Sequence, residues 1–155
     1  TVLDLLPPEL QKQGLFPVGR LDKDTEGLLL LTNDGGLAHR IIHPRSGVWK
    51  VYYAEHPGQA GPADCAAFAA GLTLGDGLAC LPARLQILSS GAQSEALVTI
   101  HEGKFHQIKR MLASRGKPVV YLKRLAMGPL TLDETLPKGE YRLLTAQEIA
   151  ALRGK

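Results

Sequence analysis

Four consecutive leucines, Leu28 to Leu31, follow directly on Gly27 and run into Thr32. So short and so apolar a run reads as a buried strand, Leu28 to Thr32, with Asn33-Asp34-Gly35-Gly36 as the turn that ends it. In front of it lies Gly19-Arg20-Leu21-Asp22-Lys23-Asp24-Thr25-Glu26-Gly27. A loop anchored by a core strand is held by the scaffold while its side chains stay reachable. Asp22, which follows a fixed cation and an apolar residue, is therefore the carboxylate best placed for chemistry.

The rest of the pattern predicts more strands than helices. Thr1 to Leu6 forms a short helix stopped by Pro7 and Pro8, and Glu9 to Gly14 a further turn or short helix. Phe16 to Gly19 and Val48 to Glu55 read as strands, with a helix from Leu37 to His43 stopped before Pro44. Pro57 to Pro62 is a loop, Ala63 to Ala70 a helix closed by Gly71, and Leu72 to Gly77 a strand and turn. Leu81 to Leu88 and Glu95 to His101 should pair. From Lys104 to Arg115 the periodicity is helical, with Phe105, Ile108, Met111 and Leu112 on one side at about 100° per residue. Val119 to Leu125 is a last strand, and Thr145-x-x-Glu148 a capping box opening a helix through Leu152. Strands that do not alternate regularly with helices favour an α+β domain with a mixed, largely antiparallel sheet and flanking helices.

At 155 residues and 45% hydrophobic, the chain can bury one core, so a single unit over residues 1–155 is expected. Its longest aliphatic run falls far short of the roughly 20 residues that span a bilayer, and no charged-then-apolar leader opens it. A cytoplasmic protein without membrane association is expected. Cys65 and Cys80 lack metal-ligand spacing and read as packing thiols. Asp22 to Gly27 resembles half of a calcium loop, but Asn33 stands where a bidentate Glu is needed, so no metal is implied. The net charge of +3 is small, yet no Asp or Glu occurs from Gly103 to Arg124, which holds seven Lys or Arg residues. A second acid-free window, Gly35 to Ala54, holds Arg40, Arg45 and Lys50. If the two windows share a face, that face suits an anionic partner.

Three segments, in order, carry a family resemblance. Gly19-Arg20-Leu21-Asp22-x-x-Thr25-x-Gly27 with its leucine strand resembles the catalytic motif of the RsuA/RluB/E/F group of RNA pseudouridine synthases. Lys50-Val51-Tyr52 resembles that group's Lys-x-Tyr strand. Glu102-Gly103-Lys104-Phe105-His106-Gln107-Ile108-Lys109-Arg110-Met111 is similar to its helix entry, and Leu125 to Leu132 and Gly139 to Arg142 match its C-terminal pattern. Members usually begin with a strand bearing Lys-Pro-x-Gly, often after a small RNA-binding module. Neither is visible here, so the chain is expected to be a catalytic domain entered partway.

The resemblance implies a pseudouridine synthase fold and isomerisation of a uridine in ribosomal RNA, small-subunit RNA in particular, by a monomer without cofactor or metal. Large-subunit RNA is the alternative substrate, and a non-catalytic RNA-binding remnant the alternative function. By the same resemblance Asp22 is the catalytic aspartate, acting on the ribose anomeric carbon or assisting glycal formation, and Tyr52 stacks on the uracil and helps remove a ribose proton. Arg20 and a cation of the Lys104–Arg115 helix keep Asp22 ionised. On that helix Lys109 lies at the edge of the apolar side, where its ammonium must snorkel out or meet an anion, whereas Arg110 and His106 point away. Lys109 is thus assigned to the cleft, while Arg20, His106, Gln107, Arg110, Lys104 and Arg40 are assigned to the RNA, with Arg45, Arg115 and Lys117 as further phosphate contacts. Tyr53, on the opposite strand face, is assigned to the core.

Overall fold

The computed structural model describes residues 1–43, 45 and 48–154. After a 3-10 turn, Val2–Leu5, and helix α1, Pro8–Gln11, come strands β1, Phe16–Val18, β2, Glu26–Gly27, and β3, Leu30–Thr32, then helix α2, Gly35–Ile42. Strand β4, Lys50–Pro57, helix α3, Pro62–Ala70, and strands β5, Arg84–Ser89, and β6, Gln93–Ile100, follow. Helix α4, Gln107–Ser114, strands β7, Tyr121–Met127, and β8, Leu130–Thr131, and helix α5, Ala146–Leu152, complete the order. The main sheet runs β2-β7-β4-β6-β5 with β8 on β7, and β1 pairs with β3 separately. Among the described residues only the β2–β7 pair is parallel, which makes the sheet mixed and largely antiparallel, as the α+β reading expects.

The leucine run departs from expectation. It is divided rather than a single strand: Glu26 and Gly27 pair with Lys123 and Arg124 in the main sheet, and Leu30 to Thr32 pair with Val18 to Phe16. Only Leu30 of the four leucines is fully buried. The physical reason is Gly27. Its φ is +110°, and a Cβ there would lie 2.2 Å from the Arg124 carbonyl oxygen, so only glycine lets the chain touch β7 and turn away at once. The Leu28 amide then donates to that same carbonyl at 2.9 Å, tying the Asp22 loop to the middle of the sheet.

Two cores flank β7. One gathers Ala54, Phe68, Val98, Ile108, Met111, Leu112 and Leu122 between the sheet and helices α3 and α4, with Cys80 buried and Cys65 packed against it. The other joins Val18, Leu30, Ala38, Ile41, Met127, Leu130 and Leu152 beneath α2 and α5. Helix starts follow their caps: the Asp34 carboxylate accepts from the Leu37 amide at 3.0 Å, and Thr145 and Glu148 close the capping box. Pro44, expected to stop α2, lies outside the described residues. Among the described residues no helix is long and apolar enough to cross a membrane.

Strand β4 alternates as a two-faced strand should. Lys50, Tyr52, Ala54 and His56 share one face; Val51, Tyr53 and Glu55 share the other. Tyr53 is not core. Its hydroxyl sits between the Glu55 and Glu95 carboxylates, and the Glu95 contact foremost pushes the phenol above its usual range. Opposite β4, strand β7 carries one extra residue, Leu125, between the pairs Tyr52↔Arg124 and Val51↔Ala126. This bulge resets the alternation, so that Arg124 and Met127 both fall on the face of Tyr52 and Lys50.

Candidate active site

The Asp22 loop, the face of β4 and β7 that carries Tyr52 and Arg124, and the entry to α4 enclose a cleft of about 430 Å³. Asp22 stands on its wall, 30% exposed, with its backbone carbonyl accepting from the Thr25 amide at 3.0 Å. Its carboxylate is held between two groups of the third motif: His106 Nε2 is 3.6 Å from one oxygen and Lys109 Nζ 3.6 Å from the other. Lys109 also pairs with Asp24, whose exposed carboxyl it holds below the ordinary range. Arg20 lines the cleft but forms no ion pair with Asp22 among the described residues. Lys109 thus meets Asp22 as expected, whereas His106, assigned to the RNA, takes the place expected of Arg20.

The α4 entry explains how a histidine reaches that carboxylate. His106 adopts φ 48° and ψ 37°, the left-handed region, which costs a non-glycine residue of order 1 kcal/mol and is concentrated at functional sites. A buried network holds it there. Glu102 accepts from the Leu81 amide at 2.7 Å and from Gln107 Nε2 at 2.8 Å, and Gln107 Oε1 accepts from the Lys104 amide at 3.1 Å. The Gln107 side chain is thus committed to the turn rather than left free for a ligand. Because the helix begins only at Gln107, Phe105 is not on its buried side: it is 75% exposed at the cleft rim, stacked on the His106 ring at 3.8 Å between centroids.

The floor holds a pair of cations that belong to the two acid-free windows and to which the sequence assigned no site role. Lys50 and Arg124 are 3% and 1% exposed and line the cleft with Tyr52. Arg124 donates from Nε to the Leu28 carbonyl at 2.8 Å and from Nη1 to the Tyr52 hydroxyl at 3.4 Å. Its Nη2 and the Thr25 hydroxyl are buried without a hydrogen-bond partner among the described residues. Burial first, and the Arg124 charge second, push the Lys50 ammonium below its usual range. Gly19 makes room above this pair: at φ +66° it would place a Cβ 3.2 Å from Met127 Cε and 3.4 Å from Arg124 Nη1. Both cations had been legible by parity, since Lys50 shares the phase of Tyr52 and Ala54, and Arg124 that of Leu122, positions that alternate inward.

Other expected contacts lie elsewhere. Arg40 donates to the Leu152 carbonyl at 3.1 Å, bracing α2 against α5 outside the cleft. Arg110 turns to Asp76, 2.5 Å away, and to the Phe105 carbonyl. Arg115 and Lys117 close on Asp64 at 2.9 and 3.3 Å. Each has found a carboxylate or carbonyl that linear charge counting could not see. Lys104 lines the cleft and pairs with Glu102 at 3.2 Å. Among the described residues no three His, Cys, Asp or Glu side chains converge as a metal site would require.

The chain is similar to known proteins over nearly its whole length. The family model described as RNA pseudouridylate synthase matches residues 1–114. YtzG of Bacillus subtilis, an uncharacterized RNA pseudouridine synthase, is 46% identical over 153 residues, 98% of this chain and 64% of the relative. The ribosomal small subunit pseudouridine synthase A of Vibrio cholerae is 46% identical over 155 residues, with the same shares of each chain. A crystal structure of a pseudouridylate synthase aligns with a TM-score of 0.91 at 40% identity, covering 98% of this chain and 65% of that one. The chain spans less than two thirds of the length of these relatives.

Proposed function

The chain belongs to the RNA pseudouridylate synthase family, and from that membership we propose that it is the catalytic domain of an enzyme that isomerises a uridine of ribosomal RNA to pseudouridine in the cytoplasm. The small-subunit RNA is the favoured substrate, on the likeness to proteins named for that activity. The observation that carries the reading is the Asp22 carboxylate between His106 and Lys109 at 3.6 Å, on the same cleft as Tyr52.

Pseudouridine formation needs an ionised carboxylate beside the ribose, a surface to hold the freed base, and room for that base to turn. Asp22 supplies the first, whether it attacks C1′ or assists glycal formation. Lys109 and His106, each 3.6 Å from one of its oxygens, hold the carboxylate in place on the cleft wall. The Tyr52 ring is the flat apolar surface for the pyrimidine. Unstacking a uridine costs a few kcal/mol, least where it is unpaired, and cationic groups at the rim, Arg20, Lys104 and His106, offset that cost through phosphate contacts. Phe105 offers an exposed ring for a neighbouring base.

Release of tritium from RNA labelled at uridine carbon five tests this function. The unmodified chain should release label, and Asp22→Asn should fall by at least about 10³-fold while RNA affinity holds, a loss on the scale of removing a reacting group. Label release by Asp22→Asn at the unmodified rate would reject the assignment. Running the assay separately on small- and large-subunit RNA decides the substrate.

A further inference from the structure

The Lys50–Arg124 floor takes no part in the attack by Asp22 or in the stacking on Tyr52. Two cations, each more than nine-tenths buried, face one cleft with no carboxylate in ion-pair distance among the described residues. Thr25 and Arg124 both line the same cleft, and the Thr25 hydroxyl and the Arg124 Nη2 are buried without a hydrogen-bond partner among the described residues. Buried polar groups are nearly always satisfied, and buried charges nearly always paired. Groups left open together at the closed end of a cleft are complementary to something absent from the protein itself.

That something is identified by shape and charge. A phosphodiester continues in both directions and stays at the rim of a cleft, whereas a base is the free end of an everted nucleotide and alone can reach the floor. Tyr52 stands on the same strand face as Lys50, with the Arg124 guanidinium 6.0 Å from its ring centroid, so a pyrimidine lying on that ring brings its edge to the cations. A neutral uracil has no need of two positive charges. A uracil leaving with the electrons of its glycosidic bond has.

We propose that Lys50 and Arg124 form an anion-stabilising floor that holds the carbonyl edge of the target uracil and takes up the negative charge the base gains when it leaves the ribose. The inference rests on the pseudouridine synthase reading of the same cleft. When the C1′–N1 bond breaks, its electron pair departs with the base and spreads over N1, O2 and O4. The ring turns, C5 supplies a pair to C1′, the C5 proton is lost, and N1 takes up a proton, so atoms and charge balance without any further reactant. The cations act most strongly on the intermediate charge and least on the neutral substrate, which is the condition for accelerating the step rather than tightening binding.

Lys50→Met is the decisive variant, with the full 155-residue chain and labelled RNA in single-turnover reactions. The expected rate loss is about 10²–10³-fold, the scale seen when one donor to a developing anion is removed, with RNA affinity and its salt dependence unchanged. With 5-fluorouridine RNA, whose base anion is intrinsically more stable, glycosidic cleavage should fall by a smaller factor. The melting temperature should be unchanged or higher, because an uncompensated buried charge has been removed. Arg124→Lys, which keeps the charge, should retain more activity than Arg124→Met. A Lys50→Met chain as fast as the unmodified one would overturn the proposal, as would weakened RNA affinity with a shallower salt slope, which marks a phosphate contact. So would a lowered melting temperature or failure to fold, which marks a structural ion. A shifted acid limb of the pH profile with the plateau intact would assign the ammonium to Asp22 and also overturn it. Failure of the underlying reading looks different: the unmodified chain then releases no tritium, and both fall together.

Discussion

Asp64 and Lys50 are each ions withdrawn from water, one at the first turn of α3 and one on β4, and their surroundings are opposite. The Asp64 carboxylate, 7% exposed, accepts from the Gly61 amide at 3.0 Å and from Arg115 Nε at 2.9 Å, with Lys117 Nζ at 3.3 Å. Burial pushes its carboxyl up, and the Gly61 amide, Arg115 and Lys117 more than reverse this, leaving it below the usual range. Lys50, 3% exposed, has Arg124 as its ionic neighbour, so burial and charge push the same way. A buried ion whose partners are complete serves the fold. One whose neighbour repels it lowers stability and is retained where a ligand completes the set.

Breaking the compensated side should have the largest effect on stability. Asp64→Ala removes the cap on α3 and strands two cations, and should destabilise the chain by about 3 kcal/mol in urea unfolding, leaving turnover per folded molecule unchanged. Since the native carboxyl lies below its ordinary value of 3.8, its contribution is present above that pH and is lost as the pH falls further. The gap between the two chains should therefore close in acid.

The uncompensated side should respond with the other sign. Lys50→Met is expected to stabilise by about 1 kcal/mol at neutral pH. The native ammonium lies below its ordinary value of 10.5, so the unfolded chain binds the proton more tightly, and unmodified stability rises with pH toward that value. The advantage of Lys50→Met should shrink over that approach, which parallel urea titrations at successive pH values would measure.

The smallest effect should come from an exposed pair that is fully compensated. Arg142 grips both Glu148 oxygens at 2.8 Å, and that contact first, with the Thr145 amide second, holds the Glu148 carboxyl at about 2. Glu148→Gln should lower the melting temperature slightly at pH 7. The difference should be full above the ordinary value of 4.5 and vanish as the pH falls through about 2.

Much of this was legible in the linear chain, for reasons that are local. The Thr145 capping box, the helix over Ala63 to Ala70, the β5–β6 pairing and the inward phase of Ile108, Met111 and Leu112 all follow from residue type and period. The meeting of Asp22 with Lys109 was anticipated by asking what anion an ammonium at the edge of an apolar face would find. What failed did so where a partner came from far along the chain. Arg40, Arg110, Arg115 and Lys117 were counted as free charge, yet each is bound to a group on another element. Phe105 was placed on a helix that begins two residues later, because nothing local signals that His106 takes a left-handed turn.

The sequence by itself determined which residues could do chemistry and on which local element each would sit, since spacing, capping and alternation are properties of neighbours along the chain. Only the tertiary structure decided which charges were left over. Gly27 brings the Asp22 loop against β7, a one-residue bulge brings Met127 as well as Arg124 onto the face of Tyr52 and Lys50, and the carboxylates that silence other cations come from far along the chain. Whether an ion is compensated depends on every group that surrounds it in space, and that sum exists only once the chain has folded.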